Sequence, residues 1–246
     1  TDPSNGGVSV SSTGPFNRAT LAPITVTTDA GLPGGGALLP TGLLQRQSTA
    51  LVNGQCPGSY TGLTFVGTPA TNQRVGTVDS FPQGVELCYQ YVWTVTSESG
   101  RYTSYTSSPV LVDTLAPAGG TLDYQAGNYS LAAASIRLAV GQSTEANGVQ
   151  SASLLRFKAP LTNGACGSFV QDGTKTVSEA STAFDPSTTA FPAFTTSTCY
   201  LYRLKVTDLA GNASTFTTAP GNAQDPATEK IVRMGDPAAP SLVVTA

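Results

Sequence analysis

The chain has 246 residues with 12 basic and 15 acidic side chains, no histidine, and a formal net charge of −3. Charged residues make up only 11 %, against about 25 % in an average soluble domain, and Thr, Ser, Gly, Ala and Pro fill their place. Nucleic acid is excluded as a partner because Lys and Arg are scattered singly and form no basic stripe to displace counterions. Membrane insertion is excluded because the longest mostly apolar stretch, Leu131 to Val140, is broken by Ser135 and Arg137 and is far too short for a bilayer.

Taken in chain order, strand-forming runs rich in Val, Thr and Tyr are expected near Val8–Ser12, Pro23–Thr28, Leu43–Thr49, Gly62–Val66, Arg74–Val78, Leu87–Thr96 and Thr103–Val112. The run Pro33-Gly34-Gly35-Gly36 reads as a flexible loop between two of them. A second series follows near Thr121–Tyr124, Ser135–Val140, Ala152–Lys158, Ser168–Gln171, Thr174–Ser178, Cys199–Thr207, Ala213–Thr217 and Lys230–Arg233. About seven short strands per roughly 110 residues, separated by turns, is the pattern of an Ig-like sandwich. The fold class is all-β.

The two series are copies of each other. Leu51-Val52-Asn53-Gly54-Gln55-Cys56 returns as Leu161-Thr162-Asn163-Gly164-Ala165-Cys166, 110 residues on. Cys88-Tyr89-Gln90-Tyr91-Val92-Trp93-Thr94-Val95-Thr96 returns as Cys199-Tyr200-Leu201-Tyr202-Arg203-Leu204-Lys205-Val206-Thr207, 111 residues on. Ile24–Thr27 matches Ile136–Ala139 more weakly, at 112. Ordered blocks at a near-constant offset mark a tandem duplication. The junctions, Asp2-Pro3, Asp113 to Pro117 and Asp236-Pro237, are short Asp/Pro linkers. The domains are therefore placed at residues 1–113 and 114–236, with 237–246 as a linker and the first strand of a following repeat, or a strand donated to a neighbour.

Alternation assigns the buried face. After Cys88 one side carries Tyr89, Tyr91, Trp93 and Val95; in the copy it carries Tyr200, Tyr202, Leu204 and Val206. That side is the core, because Arg203 and Lys205 on the other cannot sit buried and unpaired. Cys88 and Cys199 accordingly point away from the central core.

The blocks Asp113 to Gly120, Leu161 to Cys166 and Cys199-Tyr200-Leu201-Tyr202 through Val206-Thr207-Asp208-Leu209-Ala210-Gly211-Asn212 resemble bacterial Ig-like repeats of large secreted or surface-anchored proteins. The resemblance covers nearly the whole chain. It implies two tandem Ig-like or fibronectin-III-like β-sandwich domains serving as a spacer or adhesive module. The first unit departs from the pattern, with Ser97-Glu98-Ser99-Gly100-Arg101 where the second has Asp208 to Asn212.

One cysteine pair falls in each repeat at equivalent positions, which favours Cys56–Cys88 and Cys166–Cys199 disulfides over a metal site. Metal ligation would require clustered ligands, and no Cys-x-x-Cys or histidine is present. Disulfides place the protein outside the cytosol, secreted or at the cell surface. Because Cys88 and Cys199 face outward, each bridge is expected to pin a strand-end loop rather than span the core.

No catalytic residue, cofactor site or metal site is assigned. Histidine, the commonest general base, is absent. No nucleophile elbow, phosphate loop or dinucleotide fingerprint occurs, and the acidic residues sit mostly in turns and linkers. Asp113, Asp208, Asn212 and Asp236 lie near unit junctions or loop ends, where Ca²⁺ could stiffen an array, but Asp and Asn are also ordinary turn residues. Lys158, Lys175, Lys205 and Lys230 leave an intramolecular Lys–Asn isopeptide bond open in the second unit, whereas the first unit has no lysine. Trp93, Tyr89 and Tyr91 read as core, which leaves Tyr102 and Tyr105 as the best exposed aromatic candidates.

The expected function is a non-catalytic extracellular structural or adhesive module, a rigid spacer of a bacterial surface protein or fibre. The partners are neighbouring Ig-like repeats or identical subunits, and surface glycans are a further class. Two alternatives stay open: a filament subunit that assembles by donating Ser241–Ala246, and a glycan-binding adhesin module.

Overall fold

A computed structural model describes residues 2–4, 6–29, 37–130, 138–141, 148–177 and 191–235. The chain folds into two compact units. The first comprises Thr1–Leu115 with Ala146–Gly148 and Leu209–Asn212; the second comprises Ala116–Glu145, Val149–Asp208 and Ala213–Ala246. Among the described residues there are strands and one 3₁₀ turn, Pro220–Asn222, but no α-helix. None of these residues forms a helix long and apolar enough to cross a membrane.

The first unit is built from β1 (Gly7–Val10), β2 (Ile24–Asp29), β3 (Leu43–Ala50), β4 (Thr61–Gly67), β5 (Val75–Asp79), β6 (Glu86–Thr96), β7 (Tyr102–Thr106) and β8 (Val110–Asp113). One sheet runs β1-β2-β5 and the other β4-β3-β6-β7, with β8 also on β6. Their inner faces alternate as two-residue periodicity requires. Ile24, Val26, Leu44, Tyr89, Tyr91, Trp93, Val95, Val110 and Val112 form one buried cluster.

The expected single strand Thr103–Val112 is broken in two. Ser107 is buried at the break; its N–H donates to the Tyr91 carbonyl, and its Oγ accepts from the Tyr91 N–H at 3.0 Å. Pro109 has no N–H to continue a ladder, and the register slips by one residue before β8 resumes pairing with β6.

The second unit contains β9 (Thr121–Tyr124), β10 (Gly127–Tyr129), β11 (Leu138–Gly141), β12 (Val149–Thr162), β13 (Ala165–Cys166), β14 (Val170–Val177), β15 (Thr198–Asp208), β16 (Ala213–Phe216) and β17 (Val232–Met234). β12 and β15 pair along most of their length, and β14, β16 and β17 flank them. β14 replaces the two short strands expected at Ser168–Gln171 and Thr174–Ser178, with a bulge beside Arg156 absorbing the irregularity. Leu122, Tyr124, Leu154, Tyr200, Tyr202, Leu204, Val206, Phe216 and Val232 make the core.

Both units close the same way, by a parallel contact between an early segment and the last strand. Phe16 bridges Val112 in the first, and β10 pairs with β17 in the second. The Gly34–Gly36 run, Asp236 and Ser241–Ala246 lie outside the described residues.

Candidate functional site

Two constructions recur in both units. The first begins with the Asn-Gly dipeptide. Asn53 and Gly54 both have positive φ (50° and 70°), as do Asn163 and Gly164 (51° and 79°). Such a pair forms a two-residue hairpin turn whose twist suits antiparallel strands. Val52 and Gln55 exchange backbone hydrogen bonds across the first turn, and Thr162 pairs with Ala165 across the second.

The next residue in each case is the cysteine. Cys56 bonds Cys88, Cα to Cα 5.5 Å, and Cys166 bonds Cys199 at 5.9 Å. Cys88 and Cys199 are fully buried yet belong to neither core cluster, and their partners are half-buried. Each bridge thus ties a hairpin tip to the outer row of β6 or β15.

The second construction is an arginine on the inward face, half-buried in the first unit and fully buried in the second. Arg46 stands opposite Tyr91 in the β3–β6 ladder, on the inward row with Leu44. Its guanidinium lies over Tyr89 at 4.8 Å and Phe81 at 5.9 Å. It donates to Asp79 Oδ2 and to the Ser80 carbonyl, both at 2.9 Å. Asp79 is on β5, so this ion pair links the two sheets. The Tyr91 hydroxyl donates to the same Asp79 oxygen at 2.7 Å. Burial, and then the bond to Asp79, raise the Tyr91 pKa well above the usual phenol range.

In the second unit Arg156 stands opposite Tyr202 and is 1 % exposed. Its Nε and Nη2 meet the two Asp172 oxygens at 2.9 Å each. Its faces lie over Tyr200 (4.9 Å), Phe191 (5.0 Å) and Phe194 (5.5 Å). A guanidinium is planar and weakly hydrated, so aromatic walls with a bidentate carboxylate are the environment in which it can be buried. The space is tight: a Cβ on Gly173, the ladder partner of Arg156, would come within 2.6 Å of the Phe191 ring.

A signal for this clasp was present. Arg46, Phe81-Pro82 and Tyr89 reappear as Arg156, Phe191-Pro192 and Tyr200 at offsets of 110 or 111. The acids do not repeat: Asp79 and Asp172 come from different strands, β5 and β14.

The outward row of β15 is occupied as well. Arg203 stacks on Phe157 at 4.7 Å and donates to Glu229, whose side chain is fully buried, at 2.7 Å. Leu201, on the same row, is buried. Tyr124 donates to the Lys230 carbonyl; burial raises the pKa of Tyr124 and of Tyr202 well above the phenol range.

The remaining candidates are dispersed. Tyr102 is 67 % exposed. Tyr105, expected beside it on the surface, instead faces inward against Trp93 with ring centroids 5.9 Å apart, because it sits one residue out of phase with the outward row of β7. Asp113 and Asp208 are fully buried at the ends of β8 and β15, and Asn212 is 7 % exposed. Among the described residues no group of three or more His, Cys, Asp or Glu could hold a metal ion.

Lys230 Nζ lies 2.5 Å from Asp123 Oδ1, and Lys158 lies 3.8 Å from Asp172. The hydrogen bond from Lys230 holds Asp123 below the usual carboxylate range. That ionised pair is a solvent-exposed salt bridge rather than a Lys–Asn partnership.

No family model matches this chain, and no curated protein does either. Among solved structures, similarity is found to a Ca²⁺-stabilised adhesin with which an Antarctic bacterium binds ice, at 16 % identity and a TM-score of 0.32. That match covers 87 % of this chain and 48 % of the adhesin, so the chain spans about half of its length. A second is to the fibronectin(III)-like modules of Clostridium thermocellum CbhA, at 12 % identity, TM-score 0.31, covering 84 % and 88 %. A third is to a 1.5-MDa bacterial ice-binding adhesin, at 19 % identity, TM-score 0.34, covering 85 % and 61 %.

Proposed function

We propose that this chain is a non-catalytic extracellular structural or adhesive module, two Ig-like or fibronectin-III-like domains at residues 1–113 and 114–236 that act as a spacer in a bacterial surface protein or fibre. The observation that carries this reading is the repeated bridge from an Asn-Gly hairpin tip to the long central strand, Cys56–Cys88 and Cys166–Cys199. A disulfide restricts the unfolded chain, by about 3–4 kcal/mol for a loop of this length in the loop-entropy model. It persists only in an oxidising compartment, which supports a secreted or surface location.

The charged side chains point the same way. Arg46, Arg156 and Arg203 are each spent on an internal carboxylate, Asp79, Asp172 or Glu229. Groups locked in this manner brace the fold, Arg46–Asp79 across two sheets and the other two within the second unit, and are unavailable for substrate binding. The partners proposed are neighbouring repeats of the same kind.

Replacing the segment in its parent protein with an unrelated pair of sandwiches of equal length tests the spacer role. Surface display and adhesion retained after the exchange are the expected result. Adhesion lost with display intact would assign a specific ligand to this segment instead, with the exposed Tyr102 as the first residue to substitute in a glycan-binding assay.

A further inference from the structure

We infer that β4 of the first unit is a self-association site, pairing antiparallel with β4 of a second copy of this chain about a two-fold axis at Thr64. β4 ends its sheet, and among the described residues no strand pairs with its outer edge. An open edge is a row of unpaired backbone donors and acceptors, which proteins ordinarily protect with Lys, Pro or a short strand. Neither charge nor proline guards β4, and only register irregularities, beside Leu44 and Gln47 of β3, interrupt its pairing. β4 is seven residues long, Thr-Gly-Leu-Thr-Phe-Val-Gly, and the chain has no charged residue from Gln47 to Gln73.

Leu63 and Phe65 on this edge are 57 % and 63 % exposed. They point to the outer side of the sheet, since Phe65 stands opposite Gln45, whereas the inward row carries Arg46. The outer row running from β4 across the sheet is uncharged through Leu43, Gln45 and Gln47 on β3, Gln90, Val92 and Thr94 on β6, and Tyr102, Ser104 and Thr106 on β7, with acids only at its far end, Glu86 opposite Asp113. Its polar groups already serve one another, Gln47 donating to Gln90 and Thr94 bonding Ser104. A ligand that needs hydrogen-bond partners is therefore poorly met there, whereas a strand, which brings its own backbone, is well met.

A second copy fits this edge for two reasons. Identical strands of one charge sign repel, and β4 carries no charge. The strand is also self-complementary. With Thr64 on the axis, each Leu63 lies opposite Phe65 of the other copy, on the outer face. Directly opposed side chains are the unit of sheet stabilisation. One seven-residue edge lies at the low end of interface size, so the contact is weak and becomes strong only where copies are held close together. The inference does not rest on the spacer reading, because it requires only that two copies meet.

Sedimentation of the full 246-residue chain across a concentration series tests it. Three chains are compared: wild type, the double variant L63E/F65E, and the double variant L63E/F65K. Both variants change only exposed positions, and circular dichroism verifies the folding of all three chains. In the proposed register the first double variant sets Glu against Glu and the second sets Glu against Lys. The expected result is a reversible dimer for wild type, weakened about tenfold or more in L63E/F65E and recovered in L63E/F65K. A wild type that stays monomeric at millimolar concentration overturns the inference, as does dimerisation equal in all three. Association that ignores both variants but is lost on removing residues 237–246 assigns the contact to the C-terminal segment and overturns pairing through β4.

Discussion

Arg156 and Asp172 form a bidentate ion pair, 2.9 Å at each contact, with only 1 % and 7 % of their side chains exposed. A charge pair so far from water is held by geometry: three aromatic rings wall the guanidinium, and the β14 bulge brings the carboxylate into line. Arg46 and Asp79 perform the corresponding task in the first unit, where they tie one sheet to the other.

Removing one member of the buried pair strands the other. Asp172→Ala is expected to cost about 3–5 kcal/mol, as for other broken buried pairs, whereas the double replacement Arg156→Met with Asp172→Leu costs much less. Denaturant unfolding followed by circular dichroism measures both. Equal losses would show that packing volume, rather than charge, governs the site.

Trp93 is the sole tryptophan and lies in the core of the first unit, so its fluorescence reports that unit. Arg46→Lys keeps the charge but loses the planar stack on Tyr89 and one of two hydrogen bonds, a loss of about 1–2 kcal/mol. The fluorescence midpoint is expected to fall for Arg46→Lys and to stay unchanged for Asp172→Ala. A shift in both would mean that the two cores unfold together.

Much of this architecture was legible beforehand. The alternation Tyr89, Tyr91, Trp93, Val95 named the buried row of β6 correctly, because a period of two leaves no third choice. Strand positions from β1 to β6 fell within two residues of those expected. What could not be read was pairing between distant elements. An arginine in a strand signals solvent until a carboxylate and aromatic rings are known to converge on it. The acid that meets Arg46 lies 33 residues away, and the one that meets Arg156 lies 16 away, on a different strand type. Tyr105 was misplaced for a smaller reason: the break at Ser107–Pro109 and the register of β7 against β6 fix which of its residues face Trp93.

The bridges resist reductant while the fold is intact. Cys88 and Cys199 are fully buried, and thiol exchange requires access to sulfur. Thiol labelling under native conditions with mild reductant is expected to detect little, and labelling rises steeply once denaturant unfolds the chain. Cys56→Ser with Cys88→Ser is expected to lower the stability of the first unit by about 3–4 kcal/mol, through a loop 32 residues long. Labelling that is rapid in the native state would place the bridges at the surface.

Stability is expected to change little with pH between about 6 and 9, since no histidine titrates there, and to fall above about pH 10. Tyr91, Tyr124 and Tyr202 have folded pKa values raised above the ordinary phenol value. The unfolded chain therefore ionises first, and the stability these groups contribute is full below pH 10 and lost as pH climbs toward their folded values. Melting temperatures across an alkaline series, compared with Tyr91→Phe, measure this. A flat profile up to pH 12 would contradict it.

The central claim, that two disulfide-locked sandwiches bear tension as structural modules, is tested most directly by stretching single chains with and without reductant. The account predicts two discrete unfolding steps in the oxidised chain. Each should lengthen after reduction by about 115 Å, the extent of the 32 or 33 residues hidden behind a bridge at up to about 3.6 Å per residue. A smooth extension without steps, or step lengths indifferent to reductant, would contradict it.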